Sequence, residues 1–209
     1  MSDDSDRCPS GSDDEPPQTG RPTPACRVLA DDGPTPACRV LANNNLISVD
    51  VVENGGDWTA IADPALAVQE AARAAAGFPE AGLAGTSAAI ALAGDAEVAT
   101  LNASYRGKPA PTNVLSFPAP AMPAGCENGE RFLGDIILAA ETVTREAAEL
   151  GIPPEHHLQH LVIHGLLHLS GFDHDDDEAA HHMETLETRI LATLAIPDPY
   201  EYAPEPAAT

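Results

Sequence analysis

The chain is 209 residues long with a formal net charge of −23, enough for one domain with its own core and too short for two of ordinary size. Such acidity excludes nucleic-acid binding through a broad basic face, so any polyanion would have to be gripped locally. No run of eighteen or more apolar residues occurs, and the acidic N-terminus has neither a basic start nor an apolar stretch; the sequence therefore reads as cytoplasmic, without a membrane span or secretory signal.

Residues 1–45 are rich in Asp, Ser, Pro and Gly without a hydrophobic period, which predicts a disordered acidic tail. Within it Pro22 to Ala30 recurs as Pro34 to Ala42, and two copies are too few for a solenoid. Cys8, Cys26 and Cys38 lie in the tail and Cys126 stands apart, so neither a disulfide framework nor a cysteine metal site is suggested. From residue 46 onward only six cations remain, Arg73, Arg106, Lys108, Arg131, Arg145 and Arg189. Two of the six sit together in one loop.

Residues 46–197 have a globular pattern. Leu46 to Val52 alternates with β-branched residues and predicts a strand. Asp63-Pro64 supplies a cap and a first-turn proline for a helix over Ala65 to Ala76. Ser87 to Ala93 predicts a second strand, and Asp95 a cap for a helix reaching about Tyr105. Val114 to Phe117 is a short strand before a Pro/Gly-rich loop, residues 118–130, and Gly134 to Leu138 is a strong strand. A helix from Ala140 to Leu150 stops at Gly151. Pro153-Pro154-Glu155 opens a histidine-bearing helix, Asp177 to Leu194 forms the last helix, and Pro197 ends the ordered part, leaving 198–209 as a disordered C-terminal tail. Early alternation followed by helices suggests α+β or α/β, with α+β and a small mixed β-sheet covered by helices as the expectation.

The histidine helix carries His164-Gly165-Leu166-Leu167-His168-Leu169-Ser170-Gly171-Phe172-Asp173-His174. Residues 164 and 168 are about 40° apart around a helix and one turn apart along it, so both imidazoles leave one face. Gly171 can end the helix in a left-handed conformation and return His174 towards them. Three neutral imidazoles suit Zn²⁺ and leave a fourth position open, as in catalytic sites. The spacing is shared with zinc peptidases, but where those carry Glu as general base this chain has Gly165. His160 is assigned to packing, as is Met183, and His181 and His182 to the exposed side of the last helix.

Two further stretches carry chemistry. Asn102 to Pro118 places Arg106 and Lys108 in a Gly/Pro loop between a helix and a strand, where an anion could be gripped. Leu133-Gly134-Asp135-Ile136 brings a carboxylate into a hydrophobic strand.

Taken in this order with the histidine motif, these stretches resemble the YbeY family of endoribonucleases, the rRNA maturation factors of bacteria. The resemblance covers about residues 46–197. It implies a zinc-dependent, single-strand-specific endoribonuclease with a zinc-hydrolase-like metal helix, acting in 16S rRNA 3′-end maturation and ribosome quality control. Its partners would be single-stranded rRNA and the small ribosomal subunit with its proteins, with no membrane or DNA involved. The family's zinc ligands carry over to His164, His168 and His174 and its important arginine to Arg106, with Lys108 as a second substrate contact. One departure is Asn113, where the family usually has Asp. Asp173 could orient a ligand or serve as base in place of the missing Glu, the orienting role being favoured. Two other readings stay open: a zinc metallopeptidase-like hydrolase, and a ribosome-assembly factor whose metal is structural.

Overall fold

The computed structural model describes residues 46–120, 130–174 and 176–202. The expected N-terminal tail, all four cysteines, most of the Pro/Gly-rich loop and residues 203–209 lie outside them. Among the described residues no helix is long and apolar enough to cross a membrane.

Among the described residues, four strands, β1 (Ser48–Glu53), β2 (Thr86–Ala93), β3 (Val114–Pro118) and β4 (Arg131–Ala139), form one sheet in the order β1-β2-β4-β3. β1, β2 and β4 run parallel, and β3 pairs antiparallel with β4 as the edge. The sheet is small and mixed, as expected from the sequence. β4 is buried along seven consecutive residues because both of its faces are covered.

Among the described residues, five α-helices follow the expected spans closely: α1 (Pro64–Ala76), α2 (Asp95–Arg106), α3 (Ala140–Leu150), α4 (Pro154–Ser170) and α5 (Asp177–Thr193). In α1 the buried residues come in pairs every four positions, Ala67-Val68, Ala71-Ala72 and Ala75-Ala76. That period is one helical face, and its small side chains let α4 pack closely against it. Ile90, Leu92, Ile136 and Leu138 on one sheet face join α1, α4 and α5 in the main core. On the other face Ala93, Leu115, Ile137 and Ala139 pack with Val98 of α2 in a smaller cluster. Leu166 of α4 is wholly inaccessible, and truncation of such a leucine to alanine costs about 2–5 kcal/mol.

Helix starts show where local chemistry rules and where it does not. The Asp63 side chain accepts from the Leu66 amide at 2.9 Å, as its sequence position predicts. Asp95 behaves differently. It is the first residue of α2, and its carboxylate accepts from the Thr142 amide at 3.0 Å and the Thr142 hydroxyl at 2.8 Å, at the start of α3. Glu141 returns the contact, accepting the Asp95 amide at 2.8 Å. Neither Gly94 nor Ala139, which precede these helices, offers a capping side chain. Each helix is capped by the other's first turn, a solution open only once β2 and β4 lie side by side.

The ordered part runs past Pro197. Pro199–Tyr202 forms a short 3-10 turn, and its Tyr200 hydroxyl hydrogen-bonds the carboxylate of Glu187 on α5.

Candidate metal centre

α4 presents His164 and His168 from consecutive turns, and Gly171 ends the helix at φ +106°. Its amide bonds back to the His168 carbonyl at 3.1 Å while the Phe172 amide reaches the Leu167 carbonyl at 3.0 Å. This left-handed stop turns the chain so that His174 faces the helix again. Nε2 of His168 then lies 3.1 Å from Nε2 of His164 and 3.1 Å from Nε2 of His174. One ligating atom from each of the three lies within 4.8 Å of the others.

The surroundings decide what these nitrogens can do. Nδ1 of His168 is 3.1 Å from the Phe172 carbonyl oxygen, which only accepts, so Nδ1 carries the proton and Nε2 offers a lone pair. Nδ1 of His164 is 2.8 Å from Glu187 Oε1. Burial works against a charged Glu187, yet hydrogen bonds from His160 and His164 outweigh it and bring the carboxyl down to about 2. As a carboxylate it can only accept, which gives His164 the same tautomer. The neutral pair would thus aim two lone pairs at one another. Burial and the neighbouring His164 and His174 hold the pKa of His168 below its ordinary value, which favours its neutral form. A cation between the nitrogens is the partner this donor set fits. Nitrogens about 2.0–2.1 Å from a shared tetrahedral ion sit about 3.3–3.4 Å apart, close to the spacing here.

Gly165 faces the sheet. A Cβ at this position would lie 2.9 Å from Ile136 Cδ1 and 3.1 Å from Ser116 Oγ. The space taken by a peptidase's general base is therefore filled by β3 and β4. Asp173 is exposed and accepts the amide of His174 at 2.7 Å, so it shapes the turn that brings His174 to the other two histidines. His160 is satisfied by Glu187 at 3.3 Å, His181 and His182 are exposed, and Met183 lies in the core, each as expected.

Arg106 and Lys108 are exposed at and just beyond the C-terminus of α2. Gly107 ends that helix at φ +69°, and the buried Asn102 holds the loop, its amide donating to the Ala110 carbonyl at 2.7 Å. Neither cation enters an ion pair among the described residues. β3 touches both the end of α2 and the histidine helix. Tyr105 packs edge-on against Phe117 at 5.2 Å, while the preceding residue, Ser116, lies beside Gly165. Asp135 faces the same side as its partner Phe117 and is 8 % exposed, and burial pushes its carboxyl up to about 6.

Glu187 and Tyr200 escaped the sequence reading. A signal for Glu187 existed: it sits among Met183, Leu186 and Ile190, a carboxylate on the apolar face of α5. Such a residue needs partners. Tyr200 had no comparable signal.

Comparison with known proteins bears on these residues as a set. Residues 61–195 match the family model described as endoribonuclease YbeY. The chain is 45% identical over 162 residues to the endoribonuclease YbeY of Bradyrhizobium diazoefficiens, covering 77% of this chain and 88% of that protein. It is 49% identical over 146 residues to that of Nitrobacter hamburgensis, covering 68% and 76%. Among solved structures it is similar to a Thermotoga maritima protein determined in solution, with 22% identity, a TM-score of 0.43, and coverage of 77% and 99%. With its family model spanning most of the ordered domain and relatives approaching half identity over most of their length, this chain belongs to the endoribonuclease YbeY family.

Proposed function

We propose that the chain is a zinc-dependent endoribonuclease that cuts single-stranded rRNA in the cytoplasm, at the 3′ end of 16S rRNA on the small ribosomal subunit. The observation that carries the reading is the convergence of three imidazole nitrogens, two with their protons turned outward, in a chain of this family. His164, His168 and His174 would hold the ion, which supplies Lewis acidity towards a phosphoryl oxygen and acidifies a water. Arg106 would grip the scissile phosphate through its planar fork, with Lys108 adding charge beside it. The remaining surface is acidic, so ribosomal proteins rather than electrostatic attraction to naked RNA would supply much of the targeting.

A peptidase reading is disfavoured by the packing at Gly165. A purely structural ion is disfavoured because the group among the described residues has three protein ligands, where closed structural sites use four. The test is to incubate zinc-loaded protein with single-stranded RNA, structured RNA and casein, beside Arg106→Ala and His164→Ala. Cleavage of single-stranded RNA that both variants lose is the expected result. Proteolysis, or RNA cleavage indifferent to His164, would overturn the reading.

A further inference from the structure

Glu187 is the one carboxylate among the described residues with no solvent exposure at all. It projects from α5 into the junction with α4, and both of its oxygens are engaged. Oε1 takes His164 at 2.8 Å, and Oε2 takes His160 at 3.3 Å and the hydroxyl of Tyr200. A buried charge with three donors is expensive to assemble, and pure packing would be served as well by an apolar residue of similar size. The arrangement has a direction. Of the three donors, only His164 also turns its other nitrogen towards His168.

Tyr200 comes from beyond the last helix. Its amide donates to Asp198 at 2.9 Å and Thr188 of α5 reaches the same carboxylate at 3.3 Å, which fixes the turn on the helix. Its ring meets His160 edge-on at 6.0 Å. The C-terminal turn thus covers the oxygen of Glu187 that His164 does not use.

We propose that Glu187 is a positioning residue for the metal ligand His164, and that Tyr200 holds Glu187 in place, making the Pro199–Tyr202 turn an outer wall of the metal centre. This rests on the metal-binding part of the function proposed above. A carboxylate on the far nitrogen fixes the ring's rotation and tautomer and makes the near nitrogen a better donor to a cation. The hydroxyl in turn removes the freedom of Glu187 to swing towards His160 alone.

Zinc affinity of the full-length, metal-stripped chain, measured with the ion alone by competition against a chromogenic chelator, tests this. Glu187→Gln should weaken zinc binding about 10- to 100-fold. Tyr200→Phe should weaken it about 2- to 10-fold, the loss of one hydrogen bond. Arg189→Ala, which lies on the same helix as Glu187 and breaks an exposed pair with Glu80 of the Pro79–Ala81 turn, should leave affinity at the wild-type value. Cobalt loaded in place of zinc should show altered visible bands in Glu187→Gln, a readout that loss of stability alone would not move. If Glu187→Gln fails to fold, Tyr200→Phe carries the test. Zinc affinity and cobalt spectrum unchanged in a folded Glu187→Gln, or affinity unchanged in Tyr200→Phe, overturns the proposal while leaving the metal centre standing. A wild-type chain that binds no zinc would overturn the metal reading and this inference with it.

Discussion

Asn113 donates its side-chain amide to Glu146 at 2.9 Å while its carbonyl oxygen accepts the amide of Val114 at 2.7 Å. The same Glu146 oxygen is 2.9 Å from Nε2 of the buried His157. At the position where this family usually has Asp, the asparagine supplies both the turn acceptor and a donor that an aspartate lacks.

Asn113→Asp should keep the turn and lose the donor. Burial pushes Glu146 up, but hydrogen bonds from His157 and Asn113 hold it below its ordinary value. A second carboxylate would reverse one of those contributions. The expected cost is about 1–2 kcal/mol at pH 7, and it should shrink towards pH 5 as one member of the pair takes a proton. Urea unfolding at both pH values measures it. An equal cost at both would show that the two carboxylates do not meet.

Gly165→Glu would supply the residue that zinc peptidases carry here, and it should not create a peptidase. Helix propensity favours the substitution by about 0.5–1 kcal/mol, but the side chain must start 2.9 Å from Ile136 Cδ1 in a packed layer. Overpacking and a buried carboxylate together should cost about 3 kcal/mol or more. Thermal melting and a casein assay check both halves. Wild-type stability would mean that α4 can lift off the sheet.

Asp135 predicts a pH dependence with a defined sign. Its pKa is raised to about 6 in the fold, against about 3.9 unfolded. Below pH 4 both states hold the proton. Between about 4 and 6 the unfolded chain releases it first, so this residue lowers stability as pH rises, by on the order of 1–3 kcal/mol in all. Asp135→Asn should be more stable than wild type at pH 7 and lose its advantage by pH 4. No pH dependence in the difference would contradict a buried carboxyl.

Metal removal should be visible in stability without any substrate. An ion that binds the folded chain at 100 times its dissociation constant adds about 2.7 kcal/mol. A chelator should therefore lower the melting temperature of the wild type and leave His168→Ala unmoved. A chelator effect equal in both would place the ion elsewhere.

Much of this was legible from local chemistry. Asp63-Pro64 announced α1, Gly171 announced the end of α4, and the spacing of 164, 168 and 174 brought the three histidines together. What failed to show were relations set by tertiary placement. Asp95 looked like a cap for its own helix because nothing local reveals that α3 starts beside it. β4 begins at Arg131, earlier than expected, because exposed Arg131 and Phe132 lack a core pattern and Gly134 resembles a strand boundary. Gly134 is instead the irregular point of the strand, at φ +141°, where any Cβ would strike the Phe117 carbonyl. The pairing of Glu187 with His164 spans 23 residues and depends on how α4 and α5 cross.

β3 is five residues long, and its neighbours Ser116 and Phe117 point to opposite sides. One touches the histidine helix, the other the helix that ends in Arg106. The strand is therefore a ruler between the proposed anion grip and the imidazole cluster, with its zero mark set by the pairing of Phe117 with Asp135. A single residue inserted before Ser116 would shift the strand by one place, turning the inserted side chain onto Gly165 and leaving Tyr105 a hydroxyl to rest on in place of the Phe117 ring. Such an insertion touches neither half, yet it would set both out of alignment.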